Sequence, residues 1–172
     1  MAGGAVILCC VASWWDLRFR RIPNGLTIPA LVVALCLHGA HEAGQGLLLS
    51  AGGALAAGVL LLPGYLLRFT GAGDVKLLMA VGAFLGFPSA LTAGLLALLL
   101  GGVLGLLTAA RFGRIVEVLG RTFHVARWLA FRVAGAPLQA PSTSTSLRVP
   151  FGLAIACATV LVILIPRLGG AS

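Results

Sequence analysis

Six apolar segments, at about 1–15, 23–38, 47–67, 75–86, 89–110 and 149–166, alternate along the chain with short breaks where charge, glycine or proline collects. Read as helices, several are short for a hydrocarbon core of about 30 Å, which takes about 20 helical residues to cross. The first and fourth therefore imply tilt, local thinning of the bilayer, or helix running past these limits. Residues 75–110 are too long for one ordinary span. The break is placed at Gly86-Phe87-Pro88, because proline lacks a backbone donor and disfavours helix at the residue before it. The pattern predicts an all-α, polytopic integral membrane protein with about six transmembrane helices.

Composition supports this reading. Of 172 residues, 60% are hydrophobic and 9% charged, with 24 glycines, a balance far from that of a soluble domain. The net charge of +8 does not point to nucleic acid, since the basic residues fall in short bursts between apolar runs and form no continuous face. They read instead as orientation signals facing membrane lipids. With the N-terminus outside, the inner segments receive Arg18, Arg20 and Arg21, then Arg68 and Lys76, then Arg111, Arg114, Arg121, Arg127, Arg132 and Arg148, while only Arg167 remains outside. The outer turn from Gly39 to Gly46 holds Glu42, His38's neighbour His41, and no Lys or Arg. This asymmetry predicts the topology of a multi-pass protein of the cell (plasma or inner) membrane and places both Asp16 and Asp74 at the cytoplasmic end of the helices.

The whole of 1–172 is expected to form one membrane-embedded domain carrying a polar loop at about 111–148. Arg111 to Val133 places Arg114, Arg121, Arg127 and Arg132 among Ile115, Val118, Leu119, Phe123, Trp128 and Leu129, a pattern suited to an interfacial amphipathic helix. Pro137 to Ser146 reads as a linker rich in Ser, Thr and Pro. Cys9, Cys10, Cys36 and Cys157 all lie in apolar segments without a CxxC pair, and are expected to be small buried hydrophobes. The first 15 residues lack the basic start of a secretory signal and run into Trp14-Trp15, so the segment is expected to be retained as a short helix.

Only two aspartates occur, Asp16 and Asp74, each at the edge of an apolar segment beside basic residues. Asp16 opens Asp16-Leu17-Arg18-Phe19-Arg20-Arg21-Ile22-Pro23-Asn24-Gly25, where an apolar helix meets a basic turn and Pro23 starts the next helix. Asp74 lies in Thr70-Gly71-Ala72-Gly73-Asp74-Val75-Lys76, where glycines allow a tight turn before a new helix. Each alone is compatible with helix capping or charge balance. As a pair they suit aspartic hydrolysis, in which one carboxylate activates water and a protonated partner polarises the carbonyl. The two intervening apolar segments form a hairpin in this reading, returning both aspartates to one cytoplasmic cleft. Arg21 or Lys76 would tune the pair or orient the loop.

These motifs resemble a known family. Gly71-Ala72-Gly73-Asp74 matches the GxGD signature of membrane aspartic proteases, and its continuation Val75-Lys76-Leu77-Leu78 looks like type IV prepilin peptidases. Asp16 followed by Arg21-Ile22-Pro23-Asn24 resembles the other aspartate motif of that family, and Pro150-Phe151-Gly152 resembles its last-helix segment. The likeness spans about 16–156 and favours the small TadV/CpaA-like branch over a presenilin-like protease.

The resemblance implies catalysis by Asp16 and Asp74, with Arg21, Ile22, Pro23, Asn24, Gly71, Gly73, Lys76, Pro150, Phe151 and Gly152 shaping the site. It implies removal of a basic leader from prepilins or pseudopilins at the cytoplasmic membrane face, without metal or other cofactor. Larger members methylate the new N-terminus with S-adenosylmethionine through a region bearing paired cysteines. No such pair occurs in this chain, so methylation is not expected of it.

Other chemistries fit poorly. His38 and His41 fall on the predicted outer side and His124 on the inner, so they do not converge on a metal. The linker Ser and Thr residues have no His–acid partners, and no nucleotide-binding loop occurs. Two further readings use the same carboxylates: a noncatalytic membrane scaffold, in which they cap helices and pair with arginines, and a small transporter, in which they line a polar path.

Overall fold

From Ala2 the chain enters helix α1, which runs to Phe19. This is longer than the expected 1–15, because nothing in Trp14-Trp15-Asp16-Leu17-Arg18 opposes helix. Asp16 therefore lies inside α1, and the helix ends ahead of Pro23, whose ring disfavours helix at Ile22. The structure is a computed structural model that describes residues 1–19, 22–66, 70–113, 116, 120, 123, 127 and 151–169.

Helix α2, Asn24–Leu66, starts on the Pro23 carbonyl, which accepts the N–H groups of Leu26 and Thr27 at 3.1 and 3.4 Å. It is two helices joined by a tight reversal, with non-helical backbone only at Glu42 (φ −128°, ψ 20°) and Ala43 (φ 48°, ψ −128°). Contacts at both ends show the reversal. His38 Nε2 lies 3.2 Å from Phe84 O and Ser50 Oγ donates to Ala83 O at 2.9 Å, so residues from both arms meet the same helix end. At the other end Asn24 meets Lys76 and Gly64 packs on Thr70. The expected outer turn over Gly39–Gly46 thus contracts to two residues, with helix continuing on either side.

Helix α3, Ala72–Leu85, is the short central helix, and Leu77, Leu78, Ala80, Val81, Ala83 and Phe84 are buried on it. Those side chains join Ala5, Leu8, Cys9 and Ala12 of α1 and Ala54, Ala57 and Leu61 of α2 in one core. Gly86, at φ +79°, ends α3 with its N–H on Gly82 O at 2.9 Å. That backbone is open to glycine and strained for other residues, so the break falls where Gly86-Phe87-Pro88 predicted it. Helix α4 follows as Phe87–Arg111 and helix α5 as Phe151–Gly169.

Small residues set the closest crossing. A Cβ on Gly82 would lie 2.9 Å from the Ala57 Cβ and 3.0 Å from the Gly53 carbonyl carbon. The backbones of α2 and α3 touch there, as small-residue spacing allows in membrane helices. Outward faces remain apolar: Leu48 is 73% exposed and Leu99 66%. Among the described residues, Ala2–Phe19, Asn24–Tyr65 and Phe87–Arg111 are long and apolar enough to cross a membrane. The protein is an all-α membrane protein.

The cysteines correct one expectation. Cys9 is buried, but Cys10, Cys36 and Cys157 are exposed. An apolar segment in a bilayer has apolar residues on both its protein-facing and lipid-facing sides, so its hydropathy does not indicate which way a cysteine points.

The chain divides into two compact units, Met1–Gly101 with Pro150–Ser172, and Gly102–Val149. The second begins with the last turns of α4, where Thr108 Oγ1 donates to Leu104 O at 2.6 Å, and Gly113 follows at φ +66°. Most of the predicted amphipathic segment and the whole Ser/Thr/Pro-rich linker lie outside the described residues.

Candidate active site

Three helix ends in the first unit supply the site: the last turns of α1 and the first turns of α3 and α5. The antiparallel packing of α1 on α3 is fixed at its far end by Gly4, where a Cβ would come 2.7 Å from the Phe84 ring. The same packing puts Asp16, in the last turn of α1, and Asp74, in the first turn of α3, at the same end of the packed helices. The two carboxylates lie 58 positions apart in the chain, and the α2 hairpin between them starts and finishes at this end.

Asp74 occupies the third position of α3. Its Oδ2 accepts the Gly71 N–H at 3.0 Å, the carboxylate half of a capping box. Asp16 is only 9% exposed. Its Oδ2 accepts the N–H of Gly152 at 3.2 Å, one of the amides that the first turn of α5 leaves without a helical partner. Each carboxylate is thus held through one oxygen by a backbone amide at the N-terminal end of a helix.

The glycines are required by close approach. Gly71 has φ −78° and ψ 153°, an ordinary extended backbone, so the conformational freedom of glycine is not needed there. A Cβ there would sit 3.3 Å from Asp74 Oδ2, and a Cβ on Gly73 would meet the Ile22 Cβ at 3.1 Å. Gly73 lets the segment after α1 lie directly on the start of α3. A Cβ on Gly152 would come 2.9 Å from Asp16 Oδ2.

The remaining motif residues divide clearly. Lys76 Nζ donates to Asn24 Oδ1 at 3.0 Å, tying α3 to α2 through its ammonium group. Pro23 seeds α2. Phe151 packs its ring against Gly101, leaving no room for a side chain on that glycine. Arg21 and Pro150 lie outside the described residues. His38 bonds at the opposite end of α3. Among the described residues no group of three His, Cys, Asp or Glu side chains is placed to hold a metal.

Ser13 is absent from the sequence reading. It is 9% exposed and its Oγ donates to Gly152 O at 3.4 Å. The available signal was a hydroxyl three residues before Asp16, on the same helix face. Trp14, Trp15 and Phe19 cluster at the exposed end of α1, with Arg18 over the Trp14 ring at 5.6 Å, as expected for a membrane-interface belt.

No curated protein and no solved structure matches the chain. The model of the type IV leader peptidase family matches residues 4–106, a stretch that contains both aspartates and ends before Gly152. With that match covering more than half of its length, this all-helical membrane chain belongs to the type IV leader peptidase family, a family of proteases.

Proposed function

We propose that the chain is an aspartic endopeptidase that removes the basic leader from type IV prepilins, Flp-type pilins or pseudopilins at the cytoplasmic face of the inner membrane. The observation that carries this reading is that Asp16 and Asp74 stand at the same end of the packed helices, each held by a glycine amide, in a leader peptidase chain.

Two adjacent carboxylates share a proton, and one remains ionised. The ionised member takes a proton from water as that oxygen attacks the scissile carbonyl carbon, while the protonated member donates to the carbonyl oxygen. Collapse of the tetrahedral intermediate breaks the C–N bond and passes a proton to the leaving amine. The roles belong to the pair, since coupled carboxylates titrate together. A prepilin would place its apolar helix in the bilayer and its basic leader in the cytoplasm, putting the scissile bond at the height of the dyad. Proteolysis in this scheme draws on no cofactor, and N-methylation forms no part of it.

The test is co-expression with candidate prepilins from the same genome, following leader removal by mass for wild type, Asp16→Asn and Asp74→Asn. Cleavage by wild type alone is expected. Processing that persists in both variants at normal protein levels overturns the dyad. A stably inserted wild type that cleaves none of the candidates favours a scaffold.

A further inference from the structure

The hydroxyls of this bundle differ in where they bond. Thr92, Thr108 and Thr159 donate to carbonyls of their own helices, Ser89 O, Leu104 O and Ile155 O, at 2.9, 2.6 and 2.7 Å, the usual habit of a helical hydroxyl. Ser50 and Ser13 instead cross between helices, Ser50 from α2 to Ala83 O of α3 and Ser13 from α1 to Gly152 O of α5. Gly152 is also the residue whose N–H reaches Asp16. Its two backbone polar groups are therefore gripped from one helix, the carbonyl by Ser13 and the amide by the carboxylate one turn later.

That double grip matters because of what Gly152 is. A Cβ would lie 2.9 Å from Asp16 Oδ2, so a side chain at this position would displace the carboxylate. Gly152 stands in the first turn of α5, so its own φ and ψ are helical and what is left to set is where that turn sits against α1. The amide contact alone ties the turn to α1 at one point. The Ser13 hydroxyl on the carbonyl adds a second tie and holds the turn in place.

We propose that Ser13 is a positioning residue for catalysis, holding the Gly152 peptide so that its amide stays aimed at Asp16. The inference rests on the aspartic reading above. It adds a residue that touches neither substrate nor the reacting atoms and acts through Gly152.

The neighbouring contact on the same seam supplies the control. Cys9, one turn deeper in α1, donates its thiol to Thr159 Oγ1 at 3.5 Å. Cys9→Ala loosens α1 from α5 without touching Gly152, so a merely structural role for Ser13 predicts that the two variants behave alike.

The experiment uses the full chain in membranes with two readouts. The first is cleavage of a prepilin, resolved into kcat and KM. The second is the rate at which dicyclohexylcarbodiimide labels Asp16 and Asp74, read by mass spectrometry and independent of any substrate. A carboxylate that loses an N–H donor takes a proton more readily, and carbodiimides react with the protonated acid. In Ser13→Ala, labelling of Asp16 is expected to rise about threefold or more with Asp74 unchanged, kcat to fall about tenfold and KM to stay the same. Ser13→Thr, which retains the hydroxyl, is expected to restore both, and Cys9→Ala to change neither. Wild-type labelling of Asp16 in Ser13→Ala, or the same changes in Cys9→Ala, overturns the proposal. Should Ser13→Ala fail to accumulate, Ser13→Cys carries the same test, keeping the volume while weakening the donor. A wild type that cleaves nothing while Ser13→Ala still alters Asp16 labelling rejects the protease reading and leaves the Ser13–Gly152–Asp16 relation standing.

Discussion

Asp16 Oδ2 and the Gly152 N–H are 3.2 Å apart although 136 positions separate the residues. The contact makes the start of α5 part of the site, beyond the stretch that the family model matches. Gly152 contributes no reactive group to that site: it delivers an amide and leaves space beside it.

Gly152→Ala should therefore damage activity far more than abundance. The added methyl would lie 2.9 Å from Asp16 Oδ2, so the carboxylate must shift, and misplacement of about 1 Å costs about 100-fold in rate. Leader cleavage is expected to fall by about that factor with membrane levels unchanged. Near-normal cleavage would mean that the carboxylate does not depend on this contact.

The proposed catalytic role of Asp74 and its capping contact are separated by different substitutions. Asparagine retains an oxygen for the Gly71 N–H, whereas alanine removes it. Asp74→Asn is expected to lose proteolysis while unfolding in detergent like wild type. Asp74→Ala should lose proteolysis and about 1 kcal/mol of stability as well. Equal stability of the two variants would show that the capping contact contributes nothing.

Glycines in the α2–α3 crossing should respond unequally. A Cβ on Gly82 meets the rigid backbone of Gly53, whereas one on Gly58 meets the flexible Met79 side chain, with Cγ and Sδ at 3.1 Å. Gly82→Ala is expected to destabilise the bundle by about 1–3 kcal/mol, as overpacking does. Gly58→Ala should be tolerated within about 1 kcal/mol. Thermal unfolding in one detergent decides, and the reverse order would contradict the crossing described.

Ala43 holds φ 48°, in the region that L side chains rarely adopt. Ala43→Gly removes that strain and is expected to stabilise the hairpin of α2 by about 1 kcal/mol. The check is a rise in Tm with leader cleavage unchanged, since the reversal lies at the end of the bundle away from Asp74. A lower Tm would count against a strained alanine.

Local features of the site were legible in the sequence because their partners are close in the chain. Gly71 and Asp74 interact three positions apart, and the break at Gly86 is written in Gly86-Phe87-Pro88. The return of Asp16 and Asp74 to one end of the helices was legible too, through a hairpin of two apolar segments between them. The grip of Ser13 and Asp16 on Gly152 was not, because it depends on how α1 and α5 rotate against each other. Cys10, Cys36 and Cys157 show the same limit from another side, since lipid accepts what a protein interior accepts. Gly73 shows a third: the residue type was noticed, but the reason, the approach of Ile22, exists only once the two segments have met.

The crossing of Gly82 on Gly53 has a consequence for the distant carboxylate. An α-helix turns about 100° and rises 1.5 Å per residue, so slipping α3 by one residue would swing Asp74 about 100° around the helix axis, away from Asp16. The backbone contact at Gly82, together with the ties from Ser50 to Ala83 and from His38 to Phe84, denies α3 that slip. The rotational phase of Asp74 is thus set near the opposite end of its own helix, and residues remote from the peptide bond determine where the carboxylate aims.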